Sequence, residues 1–219
     1  MILREVPGIS PSMKDVLENS AQRGTYRKKL ICIGTSTGGP RALQVVLSSL
    51  PSSIKAPILI VQHMPPVFTK SLANRLNTIC QIKVKEAEEG EILENGIAYI
   101  APGDFHFLIE EKKNTMMVKL SKSQTVNGHR PSVDVLFQSV SKLKGIDIIA
   151  VIMTGMGTDG SKGLKDLSKT GRLKAIAESE ESCIVYGMPK AAVATNYVNE
   201  VASLEQIALV IMNYMSLKG

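Results

Sequence analysis

The run IDIIAVIMTG at 146–155 has no side chain after Asp147 that must face water. A strand with one solvated face alternates apolar and polar residues. A strand that is apolar throughout is buried on both faces, as in a parallel sheet covered by helices. Shorter runs of this kind, LICI at 30–33 and ILIV at 58–61, each precede a helical pattern, at 40–50 and 68–79. Buried strands alternating with helices make βαβ units. The rhythm breaks at 97–121, which reads as strands with EEKKN as the hairpin turn between the two later ones. It resumes with a helix at 132–143, the strand at 146–155 as the central one, a helix at 160–170, a strand at 173–179, a short helix at 188–196 and an amphipathic helix at 204–215. The expected fold is α/β: a doubly wound, mostly parallel sheet with helices on both faces and a small antiparallel β-hairpin insertion.

Residues 1–28 are polar and broken by Pro, Gly and Ser, which predicts a linker or N-terminal arm with a short helix around 11–21; residues 29–219 read as one domain. No apolar run reaches the length of a membrane span, and the first 29 residues lack the apolar core of a signal peptide. The expectation is a cytoplasmic chain with no membrane insertion. Cys32, Cys80 and Cys183 are odd in number and contain no CxxC pair, so neither a disulfide framework nor a zinc cage is expected. The 26 basic residues outnumber the 20 acidic ones, giving a net charge of +6. The basic residues are scattered and aromatics make up only 4%, which favours a solubilising surface over nucleic acid; if the charge serves binding, an acidic protein partner suits it best.

Ligands of open parallel sheets bind beyond the carboxyl ends of the strands, where the loops diverge. Three such loops carry Ser36 in GTSTGG, His63 in VQHMPP and Asp159 in TGMGTDGS. A dinucleotide fingerprint would need glycine at 36, and a phosphate-binding Walker loop would need Lys where Pro40 follows Gly39. The second strand ends in Gln62 and His63 rather than in the acid that grips a ribose, which also disfavours a nucleotide. GTSTG does match GxSxG, a nucleophile turn whose small residues would let a carbonyl approach Ser36 Oγ. The alternative is that Ser36 and Thr37 only cap the next helix. A serine nucleophile needs an oriented base, and the chain offers His63, His106 and His129. His63 lies on the same sheet edge as Ser36, His106 falls within a hairpin strand, and His129 either lines the cleft or caps a helix. Asp159 is either the orienting acid or an N-cap at TDGS. Two rival readings stay open: a phosphate-binding domain using Gly38 and Gly39, and a non-catalytic module that grips helices.

CIGTSTGGPRAL, VQHMPPVFTKSLANRL, AYIAPGDFHFLI, HRPSVDVLFQSV, VIMTGMGTDGSKGL and CIVYGMPKAA, in that order, closely resemble the catalytic domain of the chemotaxis receptor methylesterase family, CheB. The resemblance runs from about Lys29 to the C-terminus. It implies a serine hydrolase that removes methyl esters from glutamate side chains on cytoplasmic chemoreceptor helices, releasing methanol, and that can deamidate receptor glutamines. It implies Ser36 as nucleophile, His63 as base and Asp159 as orienting acid, with Thr37 and the Met156 amide in supporting or oxyanion roles, and no metal or cofactor. A buried core position is the alternative for Met156. A receiver domain usually precedes the family's catalytic domain, and residues 1–28 resemble the linker between them. AESEES at 177–182 departs from the family's usual residues and is expected to be loop variation.

Overall fold

The computed structural model describes residues 28–217, so the helix expected around 11–21 lies outside the described residues. The elements are β1 (Lys29–Thr35), α1 (Gly39–Ser48), β2 (Ile58–Gln62), α2 (Phe68–Ile79), β3 (Lys83–Glu86), β4 (Ile97–Ile100), β5 (His106–Lys112), β6 (Thr115–Ser121), α3 (Val133–Val140), β7 (Asp147–Ile152), α4 (Ser161–Ser168), β8 (Leu173–Glu178), α5 (Met188–Val193), β9 (Glu200–Ala202) and α6 (Leu204–Ser216). Seven strands form one sheet in the order β3-β4-β2-β1-β7-β8-β9, and every pairing in it is parallel. β5 and β6 form a separate antiparallel hairpin.

Side chains alternate across the sheet and feed two cores. Ile31, Ile33, Ile60 and Val151 meet Leu43 and Leu47 of α1, Leu72 and Leu76 of α2, and Ile207 and Ile211 of α6. Leu30, Cys32, Leu59 and Ile152 meet Phe137 of α3, Leu164 of α4 and Met188 of α5, with Phe107 of the hairpin completing that layer. The sheet is therefore doubly wound with helices on both faces. β1, not β7, takes the middle place, and β7 lies against it, with Cys32 paired to Leu59 on one side and Ala150 on the other.

The hairpin turns at Lys113 and Asn114, both at positive φ (50° and 62°), so Glu110 to Lys112 of the expected EEKKN turn belong to β5. A two-residue turn with both central residues left-handed has a twist that matches its strands. β7 ends at Ile152 rather than 155 because Thr154 leaves the ladder: its amide donates to the buried carboxylate of Glu178 at 2.8 Å. Glu178 also accepts from Ser182 Oγ at 3.1 Å, so within AESEES the buried Glu178 braces the end of β7 and the stretch is not only loop variation. The edge strands β3 (KVKE) and β9 (EVA) carry no apolar run long enough to announce them; charges on a short edge strand discourage pairing with other chains.

Candidate functional site

The chain runs from β1 to one side of the sheet and returns on the other side as β7, so the loops after β1 and β7 part at the carboxyl edge. Ser36 opens the first of these loops. Thr35 is in register with Gln62, which makes Ser36 and His63 the next positions on neighbouring strands. The His63 amide donates to the Thr35 carbonyl at 3.1 Å, and the Ser36 amide donates to the Thr154 carbonyl at 3.0 Å. Three loops are thus laced together by the backbone around one serine hydroxyl.

The glycines of GTSTGG serve packing. A β-carbon at Gly34 would stand 2.5 Å from Val133 of α3, and one at Gly39 would stand 1.9 Å from Gln62 Oε1. The space at Gly39 admits the Gln62 side chain, whose Nε2 donates to the carbonyls of Ser36 (2.9 Å) and His63 (3.0 Å). One buried amide thereby sets the spacing of the two loops, and its Oε1 makes no hydrogen bond among the described residues. The Gly39 amide donates to the Ser36 carbonyl at 2.9 Å, which removes it as a phosphate ligand and weakens the phosphate-loop reading.

His63 and Asp159 meet directly, with Nε2 at 2.8 Å from Oδ2 and side chains 6% and 1% exposed. A carboxylate only accepts, so Nε2 carries the proton and Nδ1 keeps its lone pair. Nδ1 is buried with no hydrogen-bond partner among the described residues. The Ser36 hydroxyl, on the adjoining strand end, makes no hydrogen bond to it in this structure. Such bonds commonly tighten only when substrate binds.

Asp159 is also a helix cap, though not of the helix that follows it. α4 is capped from Gly160 with no side-chain bond. The Asp159 carboxylate instead accepts from the Val133 amide (2.7 Å), the Asp134 amide (3.2 Å), Ser132 Oγ (2.8 Å) and Asn127 Nδ2 (2.9 Å), at the start of α3. Asp134 returns the arrangement: its Oδ1 accepts from the Gly160 and Gly163 amides of α4 at 3.0 and 2.7 Å. Each acid satisfies orphan amides at the start of the other's helix. Asn127 Nδ2 bridges the two carboxylates, reaching Asp134 Oδ2 at 2.8 Å. Burial alone would raise the Asp159 pKa, but the bonds from His63, Val133, Ser132 and Asn127 outweigh it and hold this carboxyl well below the usual range. Burial, with the Asp159 charge beside it, pushes Asp134 up against the pull of its own amide donors.

Thr37 is exposed, its carbonyl held by Thr154 Oγ1 at 2.9 Å. Met156 is 73% exposed, so it is no core methionine. The amides of Thr37 and Met156 donate to no described residue. His106 is buried and bonded through Nε2 to the Gln124 carbonyl at 2.9 Å, a structural role. His129 lines the site, its ring stacked on that of His63. No thiol competes as nucleophile: burial raises Cys32 and Cys80, and burial with Glu178 pushes Cys183 up to about 12. Among the described residues no group of three or more His, Cys, Asp or Glu is placed to hold a metal. No described helix is long and apolar enough to cross a membrane. Gln62, Ser132 and Asn127 escaped the sequence reading. Only Asn127 had a visible signal, the Asn-Gly pair of a tight turn.

The sequence and the fold match known proteins. The family model for CheB methylesterase matches residues 31–211. A protein-glutamate methylesterase/protein-glutamine glutaminase of Halalkalibacterium halodurans is 58% identical over 183 residues, covering 84% of this chain and 53% of that protein. The protein of the same name from Bacillus subtilis is 54% identical over 185 residues, covering 84% and 52%. The chain thus spans about half the length of these curated relatives. The crystal structure of the Thermotoga maritima CheB methylesterase catalytic domain superposes with a TM-score of 0.83 at 42% identity, covering 85% of this chain and 98% of that one. With the family model, the curated relatives and the solved structure in agreement, the chain belongs to the CheB methylesterase family.

Proposed function

We propose that this chain is a serine hydrolase that demethylates glutamate methyl esters on the cytoplasmic helices of chemoreceptors, releasing methanol, and that it deamidates receptor glutamines at the same site. The observation that carries this reading is the His63–Asp159 pair: it leaves Nδ1 as the free acceptor at the strand end adjoining Ser36. Ser36 Oγ attacks the ester carbonyl as Nδ1 takes its proton, and the protonated base then gives that proton to departing methanol. Water, deprotonated by the same nitrogen, attacks the acyl-enzyme and releases the glutamate carboxyl. Asp159 fixes the tautomer and steadies the imidazolium. The amides of Thr37, next to Ser36, and of Met156, next to the Gly155 that packs against Ser36, donate to no described residue and receive the oxyanion. A glutamine side chain follows the same path with ammonia as leaving group. No step requires a metal or cofactor.

Residues 29–219 act as the catalytic domain in this reading, with 1–28 as the linker from a receiver domain, in the cytoplasm where the receptor helices lie. The +6 charge suits a glutamate-rich protein substrate. The test is methanol release from methylated receptor membranes together with labelling by a serine-reactive fluorophosphonate. Methanol release with label on Ser36 supports the reading. An unlabelled chain that binds receptor without hydrolysing it would make it a gripping module.

The Gln62 brace supplies a further prediction. Gln62→Leu removes both donors to the Ser36 and His63 carbonyls and is expected to lower kcat by about 10- to 100-fold, the scale of a misplacement of about 1 Å. The loss of stability should be about 1–3 kcal/mol. Steady-state hydrolysis and thermal unfolding check the two effects separately.

A further inference from the structure

The turn at 126–129 touches both members of the His63–Asp159 pair. Asn127 and Gly128 lie at φ 53° and 78°, the left-handed pair of a two-residue turn. Val126 and His129 close it with reciprocal backbone bonds of 3.0 and 2.9 Å. Next in the chain, Arg130 ties the turn down, its guanidinium donating to the carbonyls of Lys122 (3.0 Å) and Ser123 (2.8 Å) and to Asp104 (3.1 Å from Nε). From this anchored turn Asn127 reaches the Asp159 carboxylate, and His129 lays its ring flat on that of His63, with centroids 3.8 Å apart and planes 10° from parallel.

We propose that His129 is a positioning residue for the base, its stacked ring holding the His63 imidazole in the plane that gives Nε2 to Asp159 and leaves Nδ1 for Ser36. This rests on the Ser36, His63 and Asp159 reading above. One hydrogen bond at Nε2 fixes a single edge of the ring, and the torsion that carries an imidazole is broad, so the ring can still tilt about that contact. A flat partner on its face removes the tilt. The same face meets His63 when it becomes an imidazolium, and an uncharged ring tolerates a cation there where a charged one would repel it. Burial, and then the neighbouring His63, keep His129 below the ordinary histidine value against the pull of Asp159.

Three variants separate stacking from simple filling. His129→Ala removes the ring, His129→Leu fills the space without a plane, and His129→Phe restores a plane without ring nitrogens. The expected result is a kcat lowered about 10- to 100-fold in Ala and Leu, with KM within about twofold, and Phe recovering to within about threefold of the parent. Nitrogen NMR of the His63 ring should show one tautomer in the parent and Phe chains and an averaged signal in Ala and Leu. Parent kcat in the Leu variant, or a Phe variant as slow as Leu, overturns the proposal. If Ala fails to fold, the Leu and Phe pair still decides. Failure of the underlying reading looks different: Ser36→Ala would keep its turnover whatever stands at 129.

Discussion

Alanine at Ser36 or at His63 is expected to lower ester turnover by about 10⁴- to 10⁶-fold, with the double variant no worse than either single one. In the proposed mechanism the two groups act as one unit: without the base the hydroxyl stays protonated, and without the hydroxyl the base has nothing to activate. The Ser36 hydroxyl makes no hydrogen bond in the described structure and is only half-buried, so Ser36→Ala should fold and melt like the parent. His63→Ala takes one of five donors from Asp159 and should cost some stability as well. Single-turnover hydrolysis of methylated receptor by the three variants, with melting curves, is the measurement. Losses that multiply in the double variant would assign the residues to separate steps.

Asp159→Asn is expected to lose both activity and stability. An asparagine can turn its amide toward Nε2 and force the other tautomer, which in serine proteases lowers turnover by about 10⁴-fold. The sequence offered Asp159 as an N-cap of its own helix, a place that Asn fills equally well. The structure reverses this. One carboxylate oxygen accepts from His63 and Val133, and the other from Asn127, Ser132 and Asp134, so either orientation of an Asn side chain points its NH₂ at two or more donors. The expected destabilisation is about 2–4 kcal/mol. The pH dependence follows from the depressed Asp159 pKa. Its folded value lies below the unfolded carboxyl value of about 3.9, so its contribution is fully present above that pH and is lost as pH falls toward the folded value. Asp159→Asn should therefore melt lower at neutral pH and lose less than the parent between about pH 4 and 2. Thermal unfolding across that range, with hydrolysis at neutral pH, checks both.

The parts of the site legible in the sequence were those set by strand ends. Continuous apolar runs marked β1, β2 and β7, and whatever followed them had to lie on one edge, which put Ser36, His63 and Asp159 within reach of each other before any coordinate. What stayed hidden were relations between helices. Nothing near TDGS says that its aspartate serves α3, or that Asp134 serves α4, because the exchange depends on two helix starts lying side by side. Gln62 was visible only as the absence of a ribose-binding acid. Its function, reaching into the space that Gly39 leaves open, needs the neighbouring strand in place. The edge strands β3 and β9 were missed because burial, the signal that reveals a strand, is weakest at an edge.

If the proposed mechanism holds, the exchanged caps tie catalytic competence to the integrity of two helix starts. Fraying of the first turn of α3 frees the Val133 and Asp134 amides that position the Asp159 carboxylate, and fraying of α4 withdraws the donors that hold Asp134 beside it. In the proposed mechanism either event withdraws support from the carboxylate that orients His63, so activity is expected to fall before the global melting transition. Local opening normally costs less than global unfolding, so on heating the loss of hydrolysis is expected at a lower temperature than the loss of overall structure.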